Sequence, residues 1–292
     1  MRRIAFKGLE QRADWQRSIG QDPTLTGKGI RKDWVGFNED IGLPIHPYTN
    51  LPAPLTFYQV MMGEYKGKRT ITNKINKVGI TDLFIRINLR RAVVGDCQGY
   101  QILYGSSKEK MANENLQRTA DIIRNSKLLN PLLAGEPTAN EIHLSNGAEF
   151  IALPRKVSSF RSWPRVKSIF LDEAAHYELI EDREFFAAAL SRLTNTDGYL
   201  DIVSTPHGQR GYFYRLFTDA VAGKNGFKWW IVTEADGLKA GLLRPEILDE
   251  AKKSMSPELY QQEYGNSFIP GIGTMAIESD LTKSMESDYE SE

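Results

Sequence analysis

The chain is predicted to be an α/β protein with a mostly parallel sheet and helices on both faces. From Phe57 onward, short strand-like blocks alternate with helix-like blocks, as in a sheet whose strands are joined by crossing helices. Several strand-like blocks end in polar or acidic residues, where an open parallel sheet places its chemistry. The chain has 292 residues, 41% of them hydrophobic, enough to bury the core of one large domain or of one to two smaller ones.

Residues 1–55 are weakly periodic, and "IGLPIHPYTNLPAPLT" carries four prolines, so an extended, irregular arm or lid is expected there. The main domain is expected over residues 56–270. "RTITNK" is a short strand, and "TDLFIRINLRRAVV" places Leu83, Ile87 and Val94 at helical spacing. "YQILYGSS" is a second strand and "KEKMANENLQRTADIIRNSKLL" a second amphipathic helix. "ANEIHLSNGAEFIALP" has the pattern of a hairpin turned by Asn146-Gly147. "VKSIFLDEAAHY" is a buried strand running into acids, followed by the helix "DREFFAAALSRL". "GYLDIVSTPHG" is a strand and turn, "YFYRLFTDAVAG" a helix and "FKWWIVTE" a last strand, on which Trp229 and Trp230 alternate so that at least one belongs to the core. There are no internal repeats. Residues 271–292 are acidic and expected to form a disordered, solvated tail.

Composition narrows the partners. Lys and Arg total 37 against 37 Asp and Glu, so global charge selects no partner and nucleic acid would need a local basic patch. The densest basic run is Lys66, Lys68, Arg69, Arg90 and Arg91, either a backbone-phosphate contact or a solvated basic face. The single cysteine, Cys97, excludes an internal disulfide and a multi-cysteine zinc site, and suits a reducing cytoplasm. No apolar run is long enough to span a bilayer, and "MRRIAFKGLE" lacks the apolar core of a signal peptide. An intracellular protein without a membrane partner is expected.

Three strand ends carry chemistry. In "TNKINKVGIT", strand, glycine turn and helix in succession direct backbone N–H groups at an anion. Gly79 allows close approach of a phosphate, Thr81 offers a hydroxyl to Mg²⁺, and Lys74 or Lys77 supplies the cation that Ile80 cannot. The bland alternative is an ordinary strand-turn-helix with surface lysines. In "SIFLDEAAHY", Asp172-Glu173 ends an apolar strand, a costly place for two carboxylates unless each has a partner. A nucleotide hydrolase divides such a pair, the first acid serving Mg²⁺ and the second the attacking water; a helix N-terminus that favours acids is the competing explanation. In "LDIVSTPHG", Ser204, Thr205 and Pro206 follow a buried strand, two hydroxyls that could sense a γ-phosphate or a polar turn stiffened by proline. Together the three favour a nucleotide hydrolase.

From about Thr56 to Phe268 the chain resembles the ATPase domain of viral large terminase subunits, the DNA-packaging motors of tailed viruses. "FYQVMMGE" looks like the upstream glutamine motif, which implies that Gln59 and Tyr58 lie near the adenine. "KINKVGIT" resembles the deviant Walker A of a subgroup whose lysine opens the motif. By that resemblance the ATP loop is Lys74, Asn76, Lys77, Val78, Gly79, Ile80 and Thr81, with Lys74 on the phosphates. "IFLDEAAHY" resembles Walker B, with Asp172 and Thr81 as Mg²⁺ ligands and Glu173 catalytic; "VSTPHG" resembles the coupling motif of Ser204, Thr205 and Pro206. "EIHLSNGAEFIALP" and "SPELYQQEYGNSF" share the family's texture. An arginine finger falls nearest Arg161, although the family's Arg-Gly pair is Arg161-Ser162 here, and Arg155 and Arg165 are alternatives.

The resemblance implies a P-loop NTPase (ASCE/RecA-like) three-layer sandwich with a mostly parallel central sheet. It implies ATP as substrate with Mg²⁺, and sequence-independent backbone contacts to double-stranded DNA. Portal protein and small terminase subunit are the implied partners. A homo-oligomeric ring, a pentamer, is implied for the active motor in the host cytoplasm, with a monomer as the isolated form. Too few residues follow Phe268 for the family's metal-binding nuclease domain, so ATP hydrolysis without DNA cutting is expected. A helicase also pairs a P-loop with a "DEAH"-like acid pair, but too little chain follows the coupling motif for a second RecA-like domain. A degenerate P-loop that only binds a partner is favoured by Ile80 and opposed by Asp172-Glu173; a plain structural domain leaves the clustered motifs unexplained. His176 is expected to be a packing or capping residue.

Overall fold

The computed structural model describes residues 29–153, 163–177 and 179–270. Its strands are β1 (Arg69–Lys74), β2 (Gln101–Ser106), β3 (Glu141–His143), β4 (Glu149–Ala152), β5 (Val166–Asp172), β6 (Tyr199–Ser204) and β7 (Lys228–Val232). They form one sheet in the order β3-β4-β2-β5-β6-β1-β7. Only the β3–β4 hairpin is antiparallel; every other pairing is parallel. The central strands are buried on both faces, which is why β1, β5 and β6 carry nearly continuous apolar or β-branched residues.

The helices are α1 (Trp34–Ile41), α2 (Phe57–Gly63), α3 (Ile80–Val93), α4 (Glu109–Asn125), α5 (Leu179–Leu193), α6 (Gly211–Val221), α7 (Glu234–Lys239), α8 (Pro245–Ser254) and α9 (Pro257–Glu263). Side chains of α1 to α4 build the core on one sheet face, where the Phe84 and Phe170 rings stack 5.6 Å apart. Phe185, Phe186, Phe213 and Phe217, from α5 and α6, build the core on the other. This is the three-layer sandwich expected; the seven strands and α3 to α6 fall where the alternation placed them, whereas α1, α2 and α7 to α9 are helices it did not assign.

The segment before residue 56 departs from expectation. Asp33 caps α1 by accepting from the Gly36 N–H at 2.7 Å, and Trp34 and Phe37 are completely buried against α3. The buried Arg86 of α3 donates to Asn38 Oδ1 at 3.1 Å and to the Gly42 carbonyl at 2.7 Å. Residues 30–55 therefore contribute to the domain core. The prolines mask this in the sequence because they follow α1, and eight residues are too few for a clear period. Trp229 and Trp230 are half-buried on opposite faces of the edge strand β7, one packed on each core.

The basic run is also corrected. Arg91 is a buried partner of Asp201, which is fully buried, and its guanidinium lies 3.9 Å over the Tyr199 ring. Arg90 donates to the Lys32 and Gly63 carbonyls, Arg69 to the Gly198 carbonyl, and Lys68 pairs with Asp197. These residues stand at the start of β1 and the end of α3, a helix of ~20 Å, so they lie at the sheet end opposite the glycine loop. Four of the five side chains thus have structural partners, and Lys66 stays largely exposed.

Candidate nucleotide site

The carboxyl ends of β1, β6 and β5 lie side by side, with β6 between the loop strand and the acid strand. Two strand spacings, roughly 9–10 Å, therefore separate the backbones that carry Lys74 and Asp172-Glu173. The side chains close that gap.

Lys74 is the last residue of β1 and is buried, with Nζ 2.5 Å from Glu173 Oε1. The loop then turns through Lys77, an exposed residue in left-handed backbone (φ 64°), and Gly79 (φ 71°) at the N-cap of α3. Glycine suits Gly79 twice: the backbone is left-handed, and a Cβ there would stand 3.1 Å from Gln59 Nε2. Ile80 is buried under the first turn of α3, so its side chain serves the core, while the first N–H groups of that helix have no intrahelical acceptor. Thr81 Oγ1 donates to Asp172 Oδ2 at 3.1 Å.

Glu173 also adopts left-handed backbone (φ 49°). Its Oε2 accepts from the Thr205 N–H at 3.4 Å and from the Thr205 and Ser204 hydroxyls at 3.3 and 3.4 Å. Ser204 Oγ in turn accepts from the Ala175 N–H at 3.0 Å, and Pro206 follows, buried. His176 Nε2 lies 3.0 Å from Thr205 Oγ1, and since that hydroxyl donates to Glu173, the imidazole is the donor. The His207 ring packs 4.5 Å from it. His176 is thus part of the polar network around Glu173 as well as a packing residue.

Electrostatics separates the two acids. Burial pushes the Asp172 carboxyl above the usual range and the neighbouring Glu173 charge adds to this; Lys74, Asn115 and Thr81 only partly oppose it. Burial also acts against Glu173, but the Lys74 ammonium, its hydrogen bond and the other donors outweigh it and hold that carboxyl below the usual range. Burial lowers His176, and it pushes His207 down to about 4 with help from His176, so both rings are neutral at neutral pH.

Tyr58 and Gln59, expected near the adenine, are both hydrogen-bonded to the glycine loop. The Tyr58 hydroxyl donates to the Val78 carbonyl at 2.7 Å, and burial pushes its pKa up to about 12. Gln59 completes a capping box with Thr56, accepting from the Thr56 N–H at 2.9 Å, and its amide reaches the Gly79 carbonyl at 3.5 Å. Both side chains brace the loop from behind.

Two contributions escaped the sequence reasoning. Asn115 of α4 donates to Asp172 Oδ2 at 3.0 Å. Around the end of α9, Asn76 bonds the Glu263 carboxylate and backbone, the Asn73 side chain donates to the Asn266 carbonyl and accepts from the Asn266 side-chain amide, and Gln262 accepts from the Gly208 N–H at 3.3 Å. The stretch "SPELYQQEYGNSF" thereby ties the glycine loop to the turn after β6. Its own spacing could not disclose partners nearly two hundred residues away.

Of the arginines, Arg161 and Arg155 lie outside the described residues. Arg165 donates to the Gly99 carbonyl at 2.8 Å and pairs with Glu149, just before β5 begins and so at the end remote from the loop. The tail acids also lie outside the described residues. Among the described residues no three His, Cys, Asp or Glu side chains cluster to hold a metal, and no helix is long and apolar enough to cross a membrane.

The fold is that of known packaging ATPases. The chain is similar to the large terminase ATPase domain of Thermus phage P74-26, with a TM-score of 0.63 at 17% identity over 80% of this chain and 97% of that one. Similarity to the HK97 bacteriophage large terminase gives the same score and identity over 81% of this chain and 55% of that one. A large terminase from a thermophilic bacteriophage, solved in complex with ADP, matches with a TM-score of 0.58 at 14% identity over 74% and 54%. The chain thus spans about half the length of those last two proteins. No curated protein matches it. The family model for the terminase large subunit, T4-like-virus type, N-terminal, matches residues 77–283, beginning three residues after Lys74. That match covers well over half of the sequence, and the chain belongs to the T4-like-virus-type terminase large subunit family, carrying its N-terminal, packaging-motor ATPase fold.

Proposed function

We propose that this chain binds and hydrolyses ATP to drive double-stranded viral DNA into a procapsid. The observation that carries the reading is the convergence of Lys74 and Thr81, from the glycine loop, with Asp172 and Glu173, from the end of β5, on the open end of the sheet. Lys74 and the loop amides are suited to the β- and γ-phosphates. Thr81 and Asp172 offer two oxygen ligands 3.1 Å apart, which fits Mg²⁺, a cation held by few protein oxygens that keeps its remaining sites for water and phosphate. A cation held by Thr81 and Asp172 would supply charge neutralisation to the phosphates.

Glu173 is the base for the attacking water. It is ionised, as a base must be, and leaves Lys74 when the lysine turns to the phosphates. Ser204 and Thr205 hold its second oxygen, so γ-phosphate loss at Glu173 is felt at once by the turn after β6, and Gln262 and Glu263 extend that link to the loop. Tyr58 and Gln59, which brace the loop, are the residues we place beside the adenine. Arg161 is retained as the arginine supplied to a neighbouring subunit, with a homo-oligomeric ring as the active form. Portal protein, small terminase subunit and DNA backbone are its partners, in the host cytoplasm.

The test is ATP turnover of Glu173→Ala and Lys74→Ala. Each is expected to lose at least ~100-fold, the usual weight of a general base or more. Turnover that survives both changes overturns the mechanism. Loss with Lys77→Ala and retention with Lys74→Ala would move the phosphate lysine three residues along.

A further inference from the structure

α4 carries an amphipathic stripe of Ala112, Leu116, Thr119, Ala120 and Ile123 against the sheet, and Asn115 interrupts it. An amide buried to 4% exposure is costly unless its hydrogen bonds are met. Asn115 Nδ2 donates to Asp172 Oδ2 at 3.0 Å, the oxygen that also accepts from Thr81 at 3.1 Å. Oδ1 of the same carboxylate accepts from the Glu173 N–H at 3.1 Å. The acid is therefore fixed by three donors, one of them from a helix that bears none of the sequence motifs. Thr119 Oγ1 donates to the Asn115 carbonyl at 2.9 Å and approaches the Tyr104 hydroxyl, which ties this turn of α4 to β2.

Ser106 stands in register with Asp172 at the adjacent strand end. Alternation along both strands points Ser106 and Asp172 to the α4 face, as it does Tyr104 and Phe170 two residues earlier. Ser106 Oγ is buried and finds no hydrogen-bond partner among the described residues. A second polar group thus faces the flank of Asp172.

We propose that Asn115, with the buried Ser106 hydroxyl beside it on the same flank, is a positioning residue that orients the Asp172 carboxylate for a divalent cation. The inference rests on the nucleotide-site reading above. Without the Asn115 donor, Asp172 loses the bond that holds Oδ2 beside Thr81 and can rotate away from it. Outer-shell partners of this kind are worth roughly 10- to 100-fold in metal affinity.

The experiment uses the full chain and a fluorescent ATP analogue. For wild type, Asn115→Leu, Asn115→Ala and Ser106→Ala, the ratio of analogue affinities with Mg²⁺ and with EDTA is measured, together with the Mg²⁺ midpoint. Circular dichroism and thermal unfolding check the fold. Asn115→Leu is expected to lower the ratio about tenfold and shift the Mg²⁺ midpoint upward by a similar factor; Ser106→Ala should shift it in the same direction and by less. A folded Asn115→Leu or Asn115→Ala protein with the wild-type ratio and midpoint overturns the proposal. If Asn115→Leu does not fold, Asn115→Ala decides; if neither folds, Asn115 is a residue of the fold and the proposal fails. A wild type that shows no Mg²⁺ enhancement sinks the nucleotide-site reading instead, so the two failures are distinguishable.

Discussion

Lys74 and Glu173 neutralise each other in the structure, yet the proposed cycle needs each of them elsewhere. Glu173→Gln should therefore cut turnover while tightening nucleotide binding. The side chains are only 7% and 15% exposed and 2.5 Å apart, so solvent screens them little. At an effective dielectric of 20 their direct attraction is about 7 kcal/mol, most of which desolvation offsets. Glutamine keeps a carbonyl for the ammonium, so we expect the competition to weaken by ~2 kcal/mol. That corresponds to about 30-fold tighter binding, at 1.4 kcal/mol per decade. Titration calorimetry with a non-hydrolysable ATP analogue measures it, and urea unfolding of the free protein should show a small loss of stability. A folded Glu173→Gln protein that binds the analogue no more tightly than wild type would refute the idea that this pair must open.

Two further predictions test the correction of the basic run and the loop backbone. Arg91→Leu leaves the fully buried Asp201 without its cation and should destabilise the chain by about 3–5 kcal/mol in urea unfolding. If stability is unchanged and only DNA binding falls, Arg91 is a contact residue after all. Lys77 is exposed in left-handed backbone, so Lys77→Gly should raise stability by ~1 kcal/mol by relieving that strain. An unchanged or lower midpoint would mean that other contacts compensate the φ of 64°.

The sequence by itself determined what depends on local chemistry. Period-two and period-3.6 patterns placed the strands and helices, Asn146-Gly147 placed the hairpin, and glycine ahead of a helix marked the anion loop. It also singled out Asp172 and Glu173, because two carboxylates at the end of an apolar strand are costly without partners, and it offered Thr81 with Lys74 or Lys77 beside the glycine turn; the family resemblance chose Lys74. α1 stayed hidden because eight residues beside a proline-rich stretch give too short a period. Only the tertiary structure decided which charges meet. Arg91 and Lys74 are both basic residues near one motif, but the 3.3 Å rise of a strand and the length of α3 send them to opposite ends of the sheet. The insertion of β6 between β1 and β5 brings Ser204 and Thr205 to Glu173. The return of α9 brings Gln262 and Glu263 to two loops at once. Strand order and chain return are long-range pairings, which no local spacing encodes. For the same reason Asn115, a plain polar residue on a helix, meets Asp172 only once the chain has folded.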